Sequence, residues 1–412
     1  MRPWPAPHVP AIPGHGDALR LFAPGLGGQV TAGGPGPVSI AVCGVAPWGG
    51  AGLEDVATGV TADLIVRAWR DQGLTVASLV HVADADVAAA TDADGRQVVE
   101  GDLASYSLDM TALGVIPPDH YVATSEVMPE VICAVDELLT VGAAYQVAPG
   151  SHGVEGGPGD VFAAVADDPG LGSVSGLSRS DLVELGRQTS REPGQPGVWG
   201  GPDPVLWRRE RPGEPSWDGS GLAAGRPGPS VSGAAAIRAR LGAGCDVLVG
   251  AGASSLPQEL VASHLRALTG AERPVRCGVR GSGVSDPSGV LVSELLRHGV
   301  SPTAIRLVVL AHHYRELWVY EPAELDAALG RLARWTAAVS GNGGPPTDRL
   351  VADVRAALAD DLDAPRAVAA VDDWVDQALS YGQPGGLTDD DVVEGAPGVA
   401  ARAVDALLGV RL

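Results

Sequence analysis

The apolar positions of this chain change their period twice, and the changes mark out its elements. Val38-Ser39-Ile40-Ala41-Val42-Cys43 is a continuous β-branched run, and a Gly/Pro-rich elbow follows it. Beyond the elbow Val56, Val60, Leu64, Ile65, Ala68 and Trp69 recur at helical spacing. Gly73 suits a helix C-cap, and Leu74 to Val80 is a second apolar run. The order strand, elbow, helix, strand predicts a parallel βαβ unit. Ligands of such sheets bind at the carboxyl ends of the strands, which directs attention to the loop from Gly44 to Asp55.

Further along, residues 103–113 and 126–141 carry a helical period on either side of Pro117-Pro118. Residues of about 150–230 are dominated by Gly, Pro, Ser and charge, which predicts a loop-rich insertion with one helix at 180–188. Regular patterning resumes with a helix at 234–241, the strand Asp246-Val247-Leu248-Val249-Gly250, and helices at 258–268, 289–298 and 303–313. From Glu321 the pattern becomes long amphipathic helices at 321–339, 348–358, 365–380 and 397–408, a terminal helical bundle. Residues 1–37 are rich in Pro and Gly and read as an arm packed on the first domain.

Charge narrows the chemistry. The formal net charge is −22, and all 28 residues in the Lys+Arg count are arginine. An acidic surface without a basic run repels nucleic-acid backbones. Without lysine there is no Schiff base and no lysine ammonium to hold a transferring phosphate. Cys43, Cys133, Cys245 and Cys277 lie far apart with no C-x-x-C pair, so reduced thiols are expected. No apolar run approaches a membrane span and the first residues lack a signal-peptide core, so a cytoplasmic protein is expected. The half calcium loop Asp92-Ala93-Asp94-Gly95 lacks the alternating ligands and terminal Glu, and reads as a solvated turn.

Several stretches together carry a resemblance. They are the arm from Trp4 to Phe22, Val42-Cys43-Gly44-Val45-Ala46-Pro47, the segment Leu206 to Trp217 (LWRRERPGEPSW), Ala311-His312-His313-Tyr314-Arg315, and Leu358 to Arg366. In order and over nearly the whole chain they resemble the class I cysteinyl-tRNA synthetase family, most closely its tRNA-independent branch, the cysteine ligases of mycothiol biosynthesis. The resemblance implies an α/β fold, a Rossmann-type parallel sheet of the class I aminoacyl-tRNA synthetase kind. It would span residues 38–320, interrupted by the insertion, before a helical bundle at 321–412. It also implies ATP and zinc as the family's cofactors.

The matching site positions depart from the family. Its His-x-Gly-His signature falls on Gly52, Leu53, Glu54 and Asp55, so both imidazoles are absent and two carboxylates stand where triphosphate would lie. Acidic residues at a helix start also have a plain structural use, capping free N–H groups. The lysine signature is shortened to Arg280 through Val290, where Arg280 is the nearby cation. Of the zinc ligands, Cys43 matches the first, the second falls on Gly233, and the His-His-Glu stretch is reduced to Pro257-Gln258-Glu259 with His264 a turn beyond. His312, His313 and Glu316 have helical metal-pair spacing, although packing is the simpler use, and Gly250-Ala251-Gly252-Ala253 is an incomplete glycine-rich loop.

The expectation is therefore a degenerate, catalytically inactive homologue of the cysteine ligase that binds no ATP or zinc and serves a protein partner or a small metabolite. The alternatives are an active ATP-dependent ligase joining L-cysteine to glucosaminyl-inositol, and a different enzyme using Glu54, Asp55 or His81 as acid/base groups.

Overall fold

A computed structural model describes residues 1–34, 36–46, 49–85, 100–147, 159–189, 203–212, 214–219, 221–250, 256–280, 283–286, 288–381, 383 and 386–412. The arm opens the chain with a short antiparallel hairpin, β1 (Arg20–Ala23) and β2 (Gly28–Thr31). Trp4 anchors the arm: it is 5% exposed, donates Nε1–H to Val115 O at 2.9 Å, and meets Tyr106 and Tyr121 edge to face.

Next come β3 (Val38–Val45), α1 (Leu53–Asp71), β4 (Val76–Val82), α2 (Glu100–Ala112), β5 (His120–Ala123) and α3 (Met128–Thr140). The βαβ reading holds, with β3 and β4 paired in parallel from Val38↔Val76. β3 is nearly continuously apolar because both of its faces are covered, as a parallel sheet requires. The insertion differs from its expectation. Besides α4 (Arg179–Thr189) it carries β6 (Ala144–Gln146), β7 (Val161–Ala163), β8 (Val205–Arg209) and β9 (Gly225–Pro227), an antiparallel four-stranded sheet. Its strands are three to five residues long and lie between Gly/Pro-rich segments, too short for alternation to register.

The chain then returns through α5 (Pro229–Leu241), β10 (Cys245–Gly250), α6 (Leu256–Thr269), β11 (Val275–Arg280), α7 (Val292–Arg297) and α8 (Pro302–Leu310). The central sheet runs β11-β10-β3-β4-β5, all parallel. Strand order reverses at β3, so the carboxyl end of β3 and the elbow beyond it sit at the switch point where such sheets bind ligands. β5 and β11, unassigned from the sequence, are the two edge strands of this sheet.

After Pro322 the chain is mostly helical: α9 (Pro322–Val339), α10 (Asp348–Ala359), α11 (Ala364–Leu379) and α12 (Ala396–Leu408). The exception is a two-residue antiparallel pairing of Gly343–Gly344 with Val393–Glu394. One core joins α1, α8 and this helical part; a second joins α3, α5 and α6 beneath the other face of the sheet.

A buried charge cluster ties the first core together. Asp63 accepts Arg67 Nε at 2.7 Å, Arg306 Nη2, and the Ile116 amide at 2.8 Å. The remaining guanidinium donors reach carbonyls at Gly114, Leu113, Asp405, Ala406 and Leu408. Arg67 and Arg306 together hold the Asp63 carboxyl below its usual range against the opposing effect of burial. Among the described residues no helix is long and apolar enough to cross a membrane.

Candidate active site at the β3 elbow

Gly52 stands in extended backbone at the N-cap of α1, with Leu53, Glu54 and Asp55 forming the first turn. Three amides of this elbow already have carboxylate partners. Gly49 N donates to Asp102 Oδ1, Ala51 N to Asp109 Oδ2 and Gly52 N to Asp55 Oδ2, each at 3.0 Å. Val292 N closes on Ala51 O at 2.9 Å and fixes the elbow to the start of α7. α2 crosses very closely: a Cβ at Gly50, whose φ is +125°, would meet Ser105 Oγ at 2.8 Å and Asp109 Oδ2 at 3.1 Å. Only glycine fits there without displacement. The capping use of Asp55 expected from the sequence is thus observed. Asp102 and Asp109 were missed; their signal was two acids seven residues apart on one helix, and without the fold nothing says what that face meets.

Burial dominates the electrostatics of the elbow. It pushes Asp55 up to about 7, against the Gly52 N–H and with help from Glu54 and Asp109. Burial also raises Glu54 and Asp109. Tyr106 rises well above its ordinary value through burial and then Asp55. No arginine is among the groups that shift any of these carboxyls. A phosphate approaching this helix start meets amides already taken by carboxyl groups.

Arg280, at the remnant of the second signature, donates from Nη2 to Arg315 O at 2.9 Å. Asp286 gathers the amides of Ser288 and Val290 at 3.0 and 2.8 Å. Gly281, Ser282 and Pro287 lie outside the described residues, as do Asp92 to Gly95 and Ala251 to Ala253.

The zinc positions are partly brought together. A Cβ at Gly233 would lie 3.4 Å from Cys43 Sγ and equally close to Val261, so the two expected ligand positions are neighbours in space, but the second carries no side chain and lies against apolar Val261. The other candidates face elsewhere. Glu259 Oε2 accepts the amides of Val174 and Ser175 at 3.1 and 2.8 Å, and Gln258 Nε2 donates to Val279 O at 3.1 Å. His264 shares a 3.0 Å bond with Ser230 Oγ, and burial pushes it down to about 4. Among the described residues no three His, Cys, Asp or Glu side chains are placed to hold a metal. This donor set does not fit zinc, which takes four ligands or three with an open position.

His81 is fully buried on β4, bonded through Nε2 to Thr124 Oγ1 at 2.8 Å and pushed down to about 4 by burial. It is held neutral near pH 7, and its Nδ1 is buried with no hydrogen-bond partner among the described residues. His312 stacks on Trp318 with centroids 3.8 Å apart and meets Glu324 Oε1 at 2.7 Å, which is the packing use. Tyr314 and Arg315 converge with the Phe22 amide on Asp361, at 2.6, 3.1 and 2.7 Å, linking arm, sheet domain and helices.

This parallel sheet with its switch-point elbow and inserted antiparallel sheet defines a class I synthetase-type catalytic fold. The methionyl-tRNA synthetase of Mycobacterium tuberculosis, in complex with methionyl-adenylate, superimposes with a TM-score of 0.60 over 91% of this chain and 92% of its own, at 12% identity. Residues 29–260 match the tRNA synthetases class I (C) catalytic domain. Proteins named L-cysteine:1D-myo-inositol 2-amino-2-deoxy-alpha-D-glucopyranoside ligase are 44% identical in Cellulomonas flavigena and 43% in Sanguibacter keddieii, each covering 100% of both chains. The chain belongs to the class I cysteinyl-tRNA synthetase family, on the side of these cysteine ligases.

Proposed function

We propose that this chain is a catalytically silent member of the cysteine ligase branch, which keeps the scaffold and serves by binding a partner protein or a small metabolite. One observation carries the reading: the Gly49, Ala51 and Gly52 amides, placed where phosphate would lie, each donate to one of the chain's own carboxylates. The chain has no lysine, and Arg280, at the remnant of the second signature, donates to the Arg315 carbonyl, which leaves a transferring phosphate without the lysine ammonium of the family. The donor set described around Cys43 offers cysteine no zinc to ligate.

The test is cysteine-dependent ATP–pyrophosphate exchange by the full chain, which should stay at background. Exchange well above background would reject the reading and favour the second one, an active ligase making a cysteinyl adenylate. That alternative draws on the full-length identity to the named ligases.

A further inference from the structure

The inserted sheet holds a second charge arrangement, separate from the elbow. β8 and β9 set Arg208 directly opposite Arg226, a placement in which like charges repel. One carboxylate lies between them. Glu214 accepts Arg208 Nη2 on both oxygens at 2.8 Å and Arg226 Nη2 on Oε2 at 2.6 Å. Two guanidiniums sharing one carboxylate leave a positive charge over, in a chain whose net charge is −22. Arg226 is 2% exposed, yet its Nε and Nη1, together with Arg208 Nε, have no hydrogen-bond partner among the described residues. Buried charged donors left unmet are costly, and planar guanidinium groups match the oxygens of carboxylate and phosphate.

We infer that Arg208 and Arg226 form a binding site for a small oxyanion, which takes the donors that Glu214 leaves unmet. Burial, then the neighbouring Arg208, pulls Arg226 down to about 10, and it remains a cation at neutral pH. Glu214 is the most exposed of the three side chains, 23% against 12% for Arg208 and 2% for Arg226, so an entering anion must displace it to reach the enclosed donors. Glu214 therefore competes with the ligand for the charge of the same two guanidinium groups, though not for the same N–H donors. The site shares no residue with the elbow, so its failure would leave the silent-ligase reading standing, and exchange activity would leave this site standing.

The full chain is titrated with inorganic phosphate and, separately, with acetate, against chloride at matched ionic strength, and melting temperature is followed. Wild type should be stabilised by one of the two, which assigns the anion class, and Arg226→Gln should lose the response. Glu214→Gln, with the competing charge removed, should bind about tenfold more tightly or better. If Arg226→Gln does not fold, Arg208→Gln at the more accessible arginine gives the same reading. No response in wild type overturns the site, as does an equal response in all variants. A response confined to Glu214→Gln also overturns it, because Glu214 then fills the position in the native chain.

Discussion

Replacing Asp55 by asparagine tests the electrostatics of the elbow most directly. The folded carboxyl sits at about 7 and its ordinary value is 3.8. A folded-state value above the unfolded one means that the native protein holds its proton where the unfolded chain has released it. The associated stabilisation is complete below the unfolded value, declines as pH rises, and is gone once pH passes the folded value. Roughly three pH units at 1.36 kcal/mol each cap the effect at about 4 kcal/mol, and solvent relaxation should leave about half. The substitution keeps the cap, since an amide oxygen still accepts the Gly52 N–H. Asp55→Asn should therefore match wild type near about pH 4 and exceed it in urea-unfolding free energy by about 2 kcal/mol near about pH 8. Because Glu54 and Asp109 add to the rise at Asp55, the difference also includes the repulsion that a neutral side chain at position 55 relieves. A variant less stable than wild type near about pH 8, or a difference that does not change with pH, would refute the reasoning.

Other outcomes follow from the buried contacts. Asp63→Asn should cost about 3–5 kcal/mol in chemical denaturation, because it strands Arg67 and Arg306 as unpaired buried cations. Asp361→Asn should cost about 1–3 kcal/mol and increase proteolysis of the arm, which Asp361 holds through the Phe22 amide. Trp4→Ala should destabilise by about 3–5 kcal/mol, with loss of the near-ultraviolet dichroism of its contacts with Tyr106 and Tyr121. Elemental analysis of the purified chain should find well under one zinc per molecule; a stoichiometric metal would show that residues outside the described set complete the Cys43 site.

What could be read from sequence depended on segment length. β3, α1 and β4 are long and strongly periodic, so their order and parallel pairing followed from Val38 to Val80 alone. α5 was read only from Ala234, although it starts at Pro229, because Pro229, Ser230, Ser232 and Gly233 are poor helix interiors. Here propensity misled, since the buried side of α5, with Val231, Ala235 and Ile237, stabilises the helix through packing. The strands of the insertion were illegible for the opposite reason. They are short, and their partners lie tens of residues away, as with Val161↔Trp207.

The site was legible as a set of losses and illegible as a replacement. Missing imidazoles and lysines can be counted along a chain, whereas the ends of Asp102 and Asp109 reach the elbow only because α2 crosses at Gly50. This distinction bears on how the fold tolerates the loss. A helix start that keeps free amides and loses its anion would leave several donors unmet in a closing cleft, each costing about 1–3 kcal/mol. In this chain carboxyl groups from α2 and from α1 itself meet those donors, and the cost is that of burying them, which raises Asp55 and Asp109 in spite of the amide bonds they accept. The load is electrostatic and local, while the Asp63 cluster and the Asp361 junction hold the domains together through contacts that involve none of the elbow residues. Stability and the old chemistry are thus separable in this molecule, and a variant that empties the elbow should change anion affinity without unfolding the sheet.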